Sequence, residues 1–296
     1  MREPIFRGAA TALVTPFTPS GEVNVEKLGE LLDHQIAEGI DAVVILGTTG
    51  ESSTTPTDEH IDIVAKAVEF VGGRIPIIAG TGSNSTAEAI HLSQKAEEVG
   101  ADALLSVTPY YNKTSQKGLV AHFSAIAKKT TLPIILYNVP GRTGMNITPE
   151  ACAEMSRIEN IVGVKECNTD QMGMIRALCE PDFTLYTGED GLVIPMLGWG
   201  GVGVISVWSN ICPKDVHTLV TSWLEGDYDK AREIQIKGLP LIKALFSEVN
   251  PIPVKEALNI LGWEVGEPRL PLIRAEEGTR DMLATALKEY GVQPRR

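Results

Sequence analysis

The stretch from residue 133 to residue 165, PIILYNVPGRTGMNITPEACAEMSRIENIVGVK, contains two short apolar runs separated by a segment of helical character. The runs Pro133–Asn138 and Ile161–Lys165 read as strands, because their apolar residues are consecutive and many are β-branched. Consecutive apolar residues are typical of parallel strands that helices cover on both faces. Between the runs, Thr148–Arg157 has the period of a helix, with Thr148 before Pro149 as the expected cap. The stretch therefore predicts one strand–helix–strand unit of a parallel sheet.

The same alternation continues in both directions along the chain. Six further strand candidates are Ala10–Thr15, Ala42–Leu46, Pro76–Ala79, Ala103–Val107, Thr184–Thr187 and Gly203–Val207. Helical patterns lie between several of them, at Val25–Glu38, Thr57–Phe70, Ser85–Val99 and Ser115–Lys129, with Thr57 and Ser85 as expected caps. Eight strands, each followed by a helix, predict an α/β fold of the (β/α)8 TIM barrel type. The alternative, an open doubly wound sheet, usually has fewer strands.

Helical patterns also follow the eighth strand. Tyr228–Phe246, Val254–Leu261 and Glu276–Tyr290 have the helical period, and Asn250–Pro253 separates the first two. The predicted organisation is a catalytic barrel over residues 1–225 and a C-terminal helical domain over residues 226–296.

Composition and charge exclude several classes of protein. With 43% apolar residues the chain can build a large core, and a net charge of −12 argues against binding nucleic acid. No apolar run has the length of a membrane span, and the first residues lack the apolar segment of a signal peptide. We therefore expect a cytoplasmic protein. The histidines have no metal-binding spacing, so neither metal nor cofactor is expected, and free thiols are expected at Cys152, Cys167, Cys179 and Cys212.

One glycine motif resembles a nucleotide-binding site in its letters alone. Gly198–Gly203 matches the pattern GxGxxG, but the dinucleotide motif must follow a strand and open a helix. Here the glycines follow the apolar run Val193–Leu197 and lead into a strand. We therefore expect a turn at the N-terminal face of the barrel rather than a nucleotide site.

Reactive side chains are most informative where they follow strands, because the carboxyl ends of barrel strands surround the active site. Lys165 ends the sixth strand, and burial there would favour the neutral amine that attacks a carbonyl. Tyr137 ends the neighbouring strand and could transfer a proton. Thr48 and Thr49 follow the second strand, and Arg142 offers two donors to a carboxylate. Each residue taken alone also fits an ordinary structural role, such as a solvated lysine at the rim.

Two segments together carry a resemblance to a known family. Gly47–Glu51, followed by Glu59, and Tyr137–Thr143, followed by Gly163–Cys167, resemble the two signatures of the dihydrodipicolinate synthase / N-acetylneuraminate lyase family. The resemblance covers nearly the whole chain, including Thr108–Asn112, Gly203–Ser206 and Asn250–Lys255.

The resemblance implies a (β/α)8 barrel with a C-terminal helical domain, assembled as a homotetramer that is a dimer of dimers. It implies that pyruvate forms a Schiff base with Lys165 and then an enamine, with no metal or cofactor. Arg142 marks the synthase branch of the family. In that branch the enamine adds to aspartate semialdehyde, giving 4-hydroxy-tetrahydrodipicolinate on the route to diaminopimelate and lysine.

The resemblance also implies a role for each matching residue. Tyr137 would donate and accept the proton near the imine, and Thr48 would connect it to Tyr111 of a neighbouring subunit. Thr49 would hold the pyruvate carboxylate, and Arg142 would hold the carboxylate of the semialdehyde. The backbone near Gly188 and Ile205 would shape the pocket.

Feedback inhibition by lysine is a further implication. The positions that match the family's lysine site are Ser52, Ser53, Thr57, His60, Asn84, Glu88 and Tyr110. Glu88 could pair with a ligand ammonium group, and His60 could bind a carboxylate. Thr57 stands where lysine-sensitive enzymes often have a second histidine, so weak to moderate inhibition is our hypothesis. Glu88 and His60 also fit an ordinary helix surface.

Two other functions remain open from the sequence. The first is a pyruvate-dependent lyase or aldolase acting on a 2-keto-3-deoxy sugar acid or N-acetylneuraminate, because loops can change the acceptor on one barrel. The second is a non-catalytic sensor of small molecules. A complete set of Lys165, Tyr137, Thr48 and Tyr111 argues against the sensor, which has no need of a proton relay.

Overall fold

The eight predicted strands form a closed parallel barrel in sequence order, in a computed structural model that describes residues 2–295. This architecture confirms the TIM barrel prediction. The strands are β1 (Gly8–Ala12), β2 (Ala42–Ile45), β3 (Ile77–Gly80), β4 (Ala103–Val107), β5 (Ile134–Asn138), β6 (Ile161–Glu166), β7 (Thr184–Thr187) and β8 (Gly203–Ser206).

Helices surround the barrel and extend beyond it. Those up to the eighth strand and just after it are α1 (Val25–Ala37), α2 (Thr57–Val71), α3 (Thr86–Glu98), α4 (Gln116–Ala127), α5 (Pro140–Thr143), α6 (Pro149–Met155), α7 (Met172–Leu178), α8 (Val193–Gly198) and α9 (Pro213–Leu224). Three more follow at the C-terminal end: α10 (Tyr228–Leu245), α11 (Ile252–Ile260) and α12 (Glu277–Tyr290). Helix α10 follows residue 225 and packs both on α9, which precedes that residue, and on α12. The boundary between a barrel domain and a helical domain at residue 225 therefore stays a prediction.

The predicted helices differ from the observed ones only near their ends, whereas α5, α7, α8 and α9 are absent from the prediction. Three of these four are too short for an amphipathic period to be read from sequence. Within residues 2–295, no helix combines the length and the apolar character that crossing a bilayer requires.

Apolar side chains form two cores, one inside the barrel and one between the barrel and its helices. In β2, Val43 belongs to the outer core and Val44 to the inner one, as expected from the alternation of side chains along a strand. Inside the barrel, the Phe6 and Tyr186 rings stack with centroids 4.4 Å apart. The Tyr186 hydroxyl donates a hydrogen bond to the Phe6 carbonyl at 2.9 Å. Because Phe6 precedes β1, this stack lies toward the N-terminal end of the barrel.

The first strand begins and ends earlier than Ala10–Thr15, so that prediction is wrong in its bounds. The backbone pairs with β8 as far as Thr11 and with β2 as far as Ala12, and the Leu13 amide donates once more to the Val44 carbonyl at 3.1 Å. Beyond this bond, the Val14 amide donates to the Asn210 side-chain oxygen at 3.2 Å instead of to a neighbouring strand. A distant side chain therefore ends this strand.

The predicted caps are correct in two places and wrong in one. Ser85 and Thr148 each accept a backbone N–H of the first turn of their helix. Thr57 is already the first residue of α2, with Pro56 before it, so its side chain caps nothing. The glycine motif runs from the end of α8 to the start of β8, which is the turn at the N-terminal face that the sequence predicts.

Candidate active site

Lys165 and Tyr137 meet at the carboxyl end of adjacent strands. Strands β5 and β6 place them in register, so both side chains point to the barrel interior. Each residue is only 6% exposed, and the Lys165 Nζ atom lies 4.4 Å from the centroid of the Tyr137 ring. The structure therefore places the predicted nucleophile and the predicted proton donor side by side in the buried interior of the barrel.

Burial sets the protonation state of both groups. It lowers the pKa of Lys165, although Cys167, Asp190 and Glu189 nearby act in the opposite direction. Burial also raises the pKa of Tyr137, against the effects of a hydrogen bond with Thr48 and of the Arg142 charge. A lysine that loses its proton more readily than usual can attack a carbonyl, and a neutral phenol beside it can supply a proton.

Gly188 makes direct contact with the reactive lysine. A methyl group added at this glycine would lie 2.7 Å from the Lys165 Cε atom and 2.4 Å from the Cys167 Sγ atom, closer than real contacts allow. The backbone after β7 can therefore reach the lysine only because residue 188 has no side chain. Burial raises the pKa of the Cys167 thiol, which fits a packed side chain rather than a nucleophile. Ile205 is fully buried and belongs to the same inner core as Tyr137.

Asn250 connects two predicted substrate-binding residues. Its side-chain nitrogen donates to the Thr49 hydroxyl oxygen at 2.9 Å, and its carbonyl accepts from Arg142 Nη2 at 3.1 Å. Thr49 is buried, whereas Arg142 is exposed on α5 at the mouth of the barrel. The Asn250 side-chain oxygen is buried and finds no hydrogen-bond partner among residues 2–295. The site thus has an unsatisfied acceptor that the sequence does not predict. The break in the helical pattern before α11 is the local sequence feature that marks the position of Asn250.

Tyr111 does not belong to the pocket of its own chain. It is 92% exposed, and its backbone has the left-handed φ of +68°. The Asn112 side chain donates to the Asn84 carbonyl at 3.0 Å and so fixes the position of this loop. A side chain exposed in this way is suited to contact another molecule.

A cleft of about 330 Å³ joins the mouth of the barrel to the predicted binding site for free lysine, the expected inhibitor. Thr48, Val139 and Arg142 line it on the side of the active site. Six of the seven predicted lysine-binding positions also line it: Ser52, Ser53, Thr57, His60, Glu88 and Tyr110. Asn84 is the exception.

The polar groups of this cleft are partly engaged already. The His60 Nε2 atom is hydrogen bonded to the Gly80 carbonyl at 2.8 Å, and burial lowers the pKa of this histidine. The Ser83 hydroxyl donates to the Glu88 carboxylate at 2.6 Å, while Glu88 itself is exposed. Glu88 therefore remains accessible to a cationic group, whereas His60 has only Nδ1 free.

A polar network supports the two strand tips from the outer face. Asn138 Nδ2 donates to the Glu166 carboxylate at 2.8 Å, directly behind Tyr137 and Lys165. The Gln171 amide donates at 2.9 Å and the Asn168 backbone at 2.6 Å to the same carboxylate. Burial raises the pKa of Glu166 to about 7, and these hydrogen bonds oppose the shift. Within residues 2–295, no three His, Cys, Asp or Glu side chains are grouped as a metal site requires.

A buried lysine beside a tyrosine at the mouth of a (β/α)8 barrel defines the class: an aldolase that activates its carbonyl substrate as a lysine imine. Residues 5–290 match the dihydrodipicolinate synthetase family, and the chain belongs to that family. Several relatives that match over nearly their full length are named after the same enzymatic activity. The 4-hydroxy-tetrahydrodipicolinate synthase of Acetivibrio thermocellus is 56% identical over 292 residues, which cover 99% of this chain and 100% of that one.

Solved structures agree with this assignment. The dihydrodipicolinate synthase of Cyanidioschyzon merolae with lysine bound has a TM-score of 0.95 and is 40% identical, covering 98% of this chain and 100% of its own. The Acinetobacter baumannii enzyme complexed with pyruvate also has a TM-score of 0.95 and 40% identity, covering 97% and 99%.

Proposed function

We propose that this protein condenses pyruvate with L-aspartate 4-semialdehyde to give 4-hydroxy-tetrahydrodipicolinate, the first committed step towards diaminopimelate and lysine. The observation that carries the proposal is the buried Lys165 amine, 4.4 Å from the Tyr137 ring at the carboxyl end of the barrel. Family membership and the names of full-length relatives support the choice of reaction.

The reaction begins with attack of the Lys165 amine on the ketone carbon of pyruvate. Water leaves, and the resulting imine loses a proton from the pyruvate methyl group to become an enamine. The enamine carbon then forms the new carbon–carbon bond with the aldehyde carbon of the second substrate. The amino group of that substrate finally displaces Lys165 from the imine carbon, which closes the ring and frees the lysine. One water is released overall.

Proton transfer is assigned to Tyr137. The phenol lies beside the amine and is buried, so it can protonate the oxygen that leaves as water. Thr48 would connect the phenol to the next member of the relay, and Tyr111 from a second subunit would extend the relay to solvent. The outward position of Tyr111 supports this part of the proposal.

Substrate binding is assigned to groups around the lysine. The Thr49 hydroxyl, held by Asn250, would bind the carboxylate of pyruvate, and Arg142 would bind the carboxylate of the semialdehyde at the mouth. The backbone near Gly188 and Ile205 would shape the pocket around the bound pyruvate.

The decisive experiment compares kcat/KM for pyruvate with aspartate semialdehyde and with N-acetylmannosamine, because this ratio measures discrimination between substrates. We expect a large preference for aspartate semialdehyde, and no turnover by a Lys165→Ala variant. Borohydride with pyruvate should attach a three-carbon adduct to the wild type but not to that variant. A preference for the sugar aldehyde would place the protein among the lyases, and turnover by Lys165→Ala would refute the mechanism.

We also propose that lysine binds in the cleft near Glu88 and inhibits weakly to moderately. The exposed Glu88 carboxylate could receive the ammonium group, and Ser52, Ser53 and Thr57 supply hydroxyls. A relative of high structural similarity has been solved with lysine bound. Inhibition should appear at millimolar lysine and weaken in Glu88→Gln. Activity that stays constant over this range would refute the hypothesis.

A homotetramer, as a dimer of dimers, completes the proposal. One interface would bring Tyr111 to its partner's site, and a second requires another apolar surface. Met174, Leu178 and Trp199 are 53%, 41% and 55% exposed on neighbouring segments, which suits such a contact. Ultracentrifugation should find a tetramer for the wild type and a dimer for Trp199→Asp. The cytoplasmic location stays a prediction.

A further inference from the structure

Lys255, on α11, is a buried lysine outside the reactive pocket. It is 1% exposed, and its ammonium group has three hydrogen-bond acceptors for its three N–H donors. They are the Glu51 carboxylate at 2.8 Å, the Thr15 carbonyl at 3.0 Å and the Glu267 carbonyl at 3.2 Å. The Phe17 ring also lies 4.1 Å from the nitrogen. Every donor is therefore satisfied, although no water reaches the group.

Its partner, Glu51, closes the Gly47–Glu51 turn that holds Thr48 and Thr49. Glu51 has the left-handed φ of +60°, and its side chain is completely buried. Its second carboxylate oxygen accepts the Arg269 backbone N–H at 2.8 Å. A buried carboxylate without such partners would be costly, so its contacts determine the conformation of the turn.

The acceptors of Lys255 come from separate parts of the chain. Thr15 follows β1, Glu51 follows β2, and Glu267 lies beyond α11. The Thr15 hydroxyl also donates to the Gly50 carbonyl at 2.7 Å, which connects the two loops to each other. One ammonium group thus fixes two loops of the barrel mouth to the C-terminal helices.

The same helical segment contacts the turn a second time. Asn250, shortly before α11, donates to Thr49 at 2.9 Å, while Lys255 binds Glu51 two residues further along the turn. Burial lowers the pKa of Lys255 to about 8, and the charge of Glu51 opposes this effect. Buried ion pairs often contribute little net stability compared with apolar residues, and in some proteins they fix geometry instead. This pair is therefore better explained by the placement of the turn than by stability alone.

We propose that Lys255, through its ion pair with Glu51, is a positioning residue that holds Thr48 and Thr49 in the geometry required to bind pyruvate. The inference rests on the proposed function, which assigns those threonines to the pyruvate site. Lys255 itself contacts no reacting atom. Its effect should therefore appear mainly in pyruvate binding.

The test compares Lys255→Met, Glu51→Gln and the double variant with the wild type, after circular dichroism and size exclusion have established which variants fold. We expect KM for pyruvate to rise about tenfold or more in each, since small displacements of binding groups have large kinetic effects. KM for aspartate semialdehyde should change by less than about threefold. The double variant should recover thermal stability relative to Lys255→Met, because no unpaired charge stays buried, yet keep the raised KM.

Glu256 provides the matched control. It is the next residue of α11, is 4% exposed, and pairs with Arg280 of α12 at 2.7 Å rather than with the turn. Glu256→Gln should lose stability but keep the wild-type KM for pyruvate.

A pyruvate KM of Lys255→Met within about twofold of the wild-type value would overturn the inference. If Lys255→Met does not fold, the same criterion applies to Glu51→Gln. The inference is equally overturned if Glu256→Gln raises KM as much. A wild type that forms no pyruvate imine would instead refute the proposed function, together with the inference that rests on it. An active wild type with unchanged variants would refute the inference alone.

Discussion

The burial of Lys165 has opposite effects on the stability of the fold and on the reactivity of the amine. Burial disfavours its charged form and so reduces the stability of the fold, but the same burial makes the amine nucleophilic. The neighbouring acidic groups and Cys167 limit the shift without removing it. The buried Lys165 therefore lowers the free energy of unfolding locally, and interactions in the rest of the barrel compensate for this loss.

Replacing this lysine should separate the two effects. We expect Lys165→Met to lose activity and to gain about 1 kcal/mol in free energy of unfolding near neutral pH, a common size for such trade-offs. The pKa of Lys165 is lowered in the folded state, so the unfolded chain binds more protons between the folded and the ordinary lysine pKa. Wild-type stability should rise with pH across that window, and the advantage of the variant should shrink. Urea unfolding at several pH values measures this, and a variant less stable than the wild type would contradict it.

Gly188 offers a second test at the scale of one residue. The methyl group of Gly188→Ala would collide with Lys165 Cε and Cys167 Sγ, so the lysine must move. A shift of about 1 Å at a reactive group can cost about 100-fold in rate, and we expect a kcat/KM loss of about that size. Gly198→Ala is the control, because a methyl group there meets no atom within 4 Å. Similar activities for the two variants would mean that the backbone at residue 188 does not position the lysine.

At the scale of elements, strands β5 and β6 have two functional faces. Their inner faces present Tyr137 and Lys165, while Asn138 and Glu166 at the following positions form hydrogen bonds behind them. Because side chains alternate along a strand, the outer pair determines the register of the inner pair. The support of the site is therefore part of the strands themselves.

Glu166→Gln should weaken this support. The new amide group would face the donors of Asn138, Gln171 and Asn168, which leaves buried donors unpaired. We expect the free energy of unfolding at pH 8 to fall by about 1–3 kcal/mol, the usual cost of unsatisfied buried groups. Glu98→Gln, on an exposed pair with Lys95, should change it by less than about 0.5 kcal/mol. Equal urea midpoints for the two variants would show that the network does not stabilise the strands.

At the scale of the whole molecule, the proposed proton relay is incomplete within one chain. Tyr111 is almost fully exposed to solvent, whereas Lys165 and Tyr137 are buried in the barrel. In a two-fold dimer the same surface serves both subunits, so each Tyr111 could complete the partner's site.

Mixing two inactive variants tests this arrangement. Tyr111→Phe keeps Lys165 but lacks the donated hydroxyl, and Lys165→Ala keeps Tyr111 but lacks the nucleophile. Random exchange makes half of the dimers mixed, and each mixed dimer has one complete site of two, so activity should recover to about a quarter of the wild-type value. Subunits exchanged in mild denaturant and assayed after refolding provide the measurement. A mixture no more active than its components would show that Tyr111 acts within its own chain or not at all.

The sequence by itself determined the barrel and the two central residues of the site. Eight apolar runs at regular spacing predict eight strands, because a buried strand consists of consecutive apolar residues. Lys165 and Tyr137 follow such runs, and parallel strands bring their carboxyl ends to the same face of the barrel. Local patterns are sufficient for these conclusions.

Only the tertiary structure decided how the mouth of the barrel is held. Asn250 meets Thr49 from 201 residues away, and Lys255 meets Glu51 from 204 residues away. The end of β1 likewise depends on Asn210, and the exposure of Tyr111 depends on the loop that carries it. Hydrogen bonds between distant segments leave no periodic signal in either segment, because their donors and acceptors become neighbours only after the chain has folded.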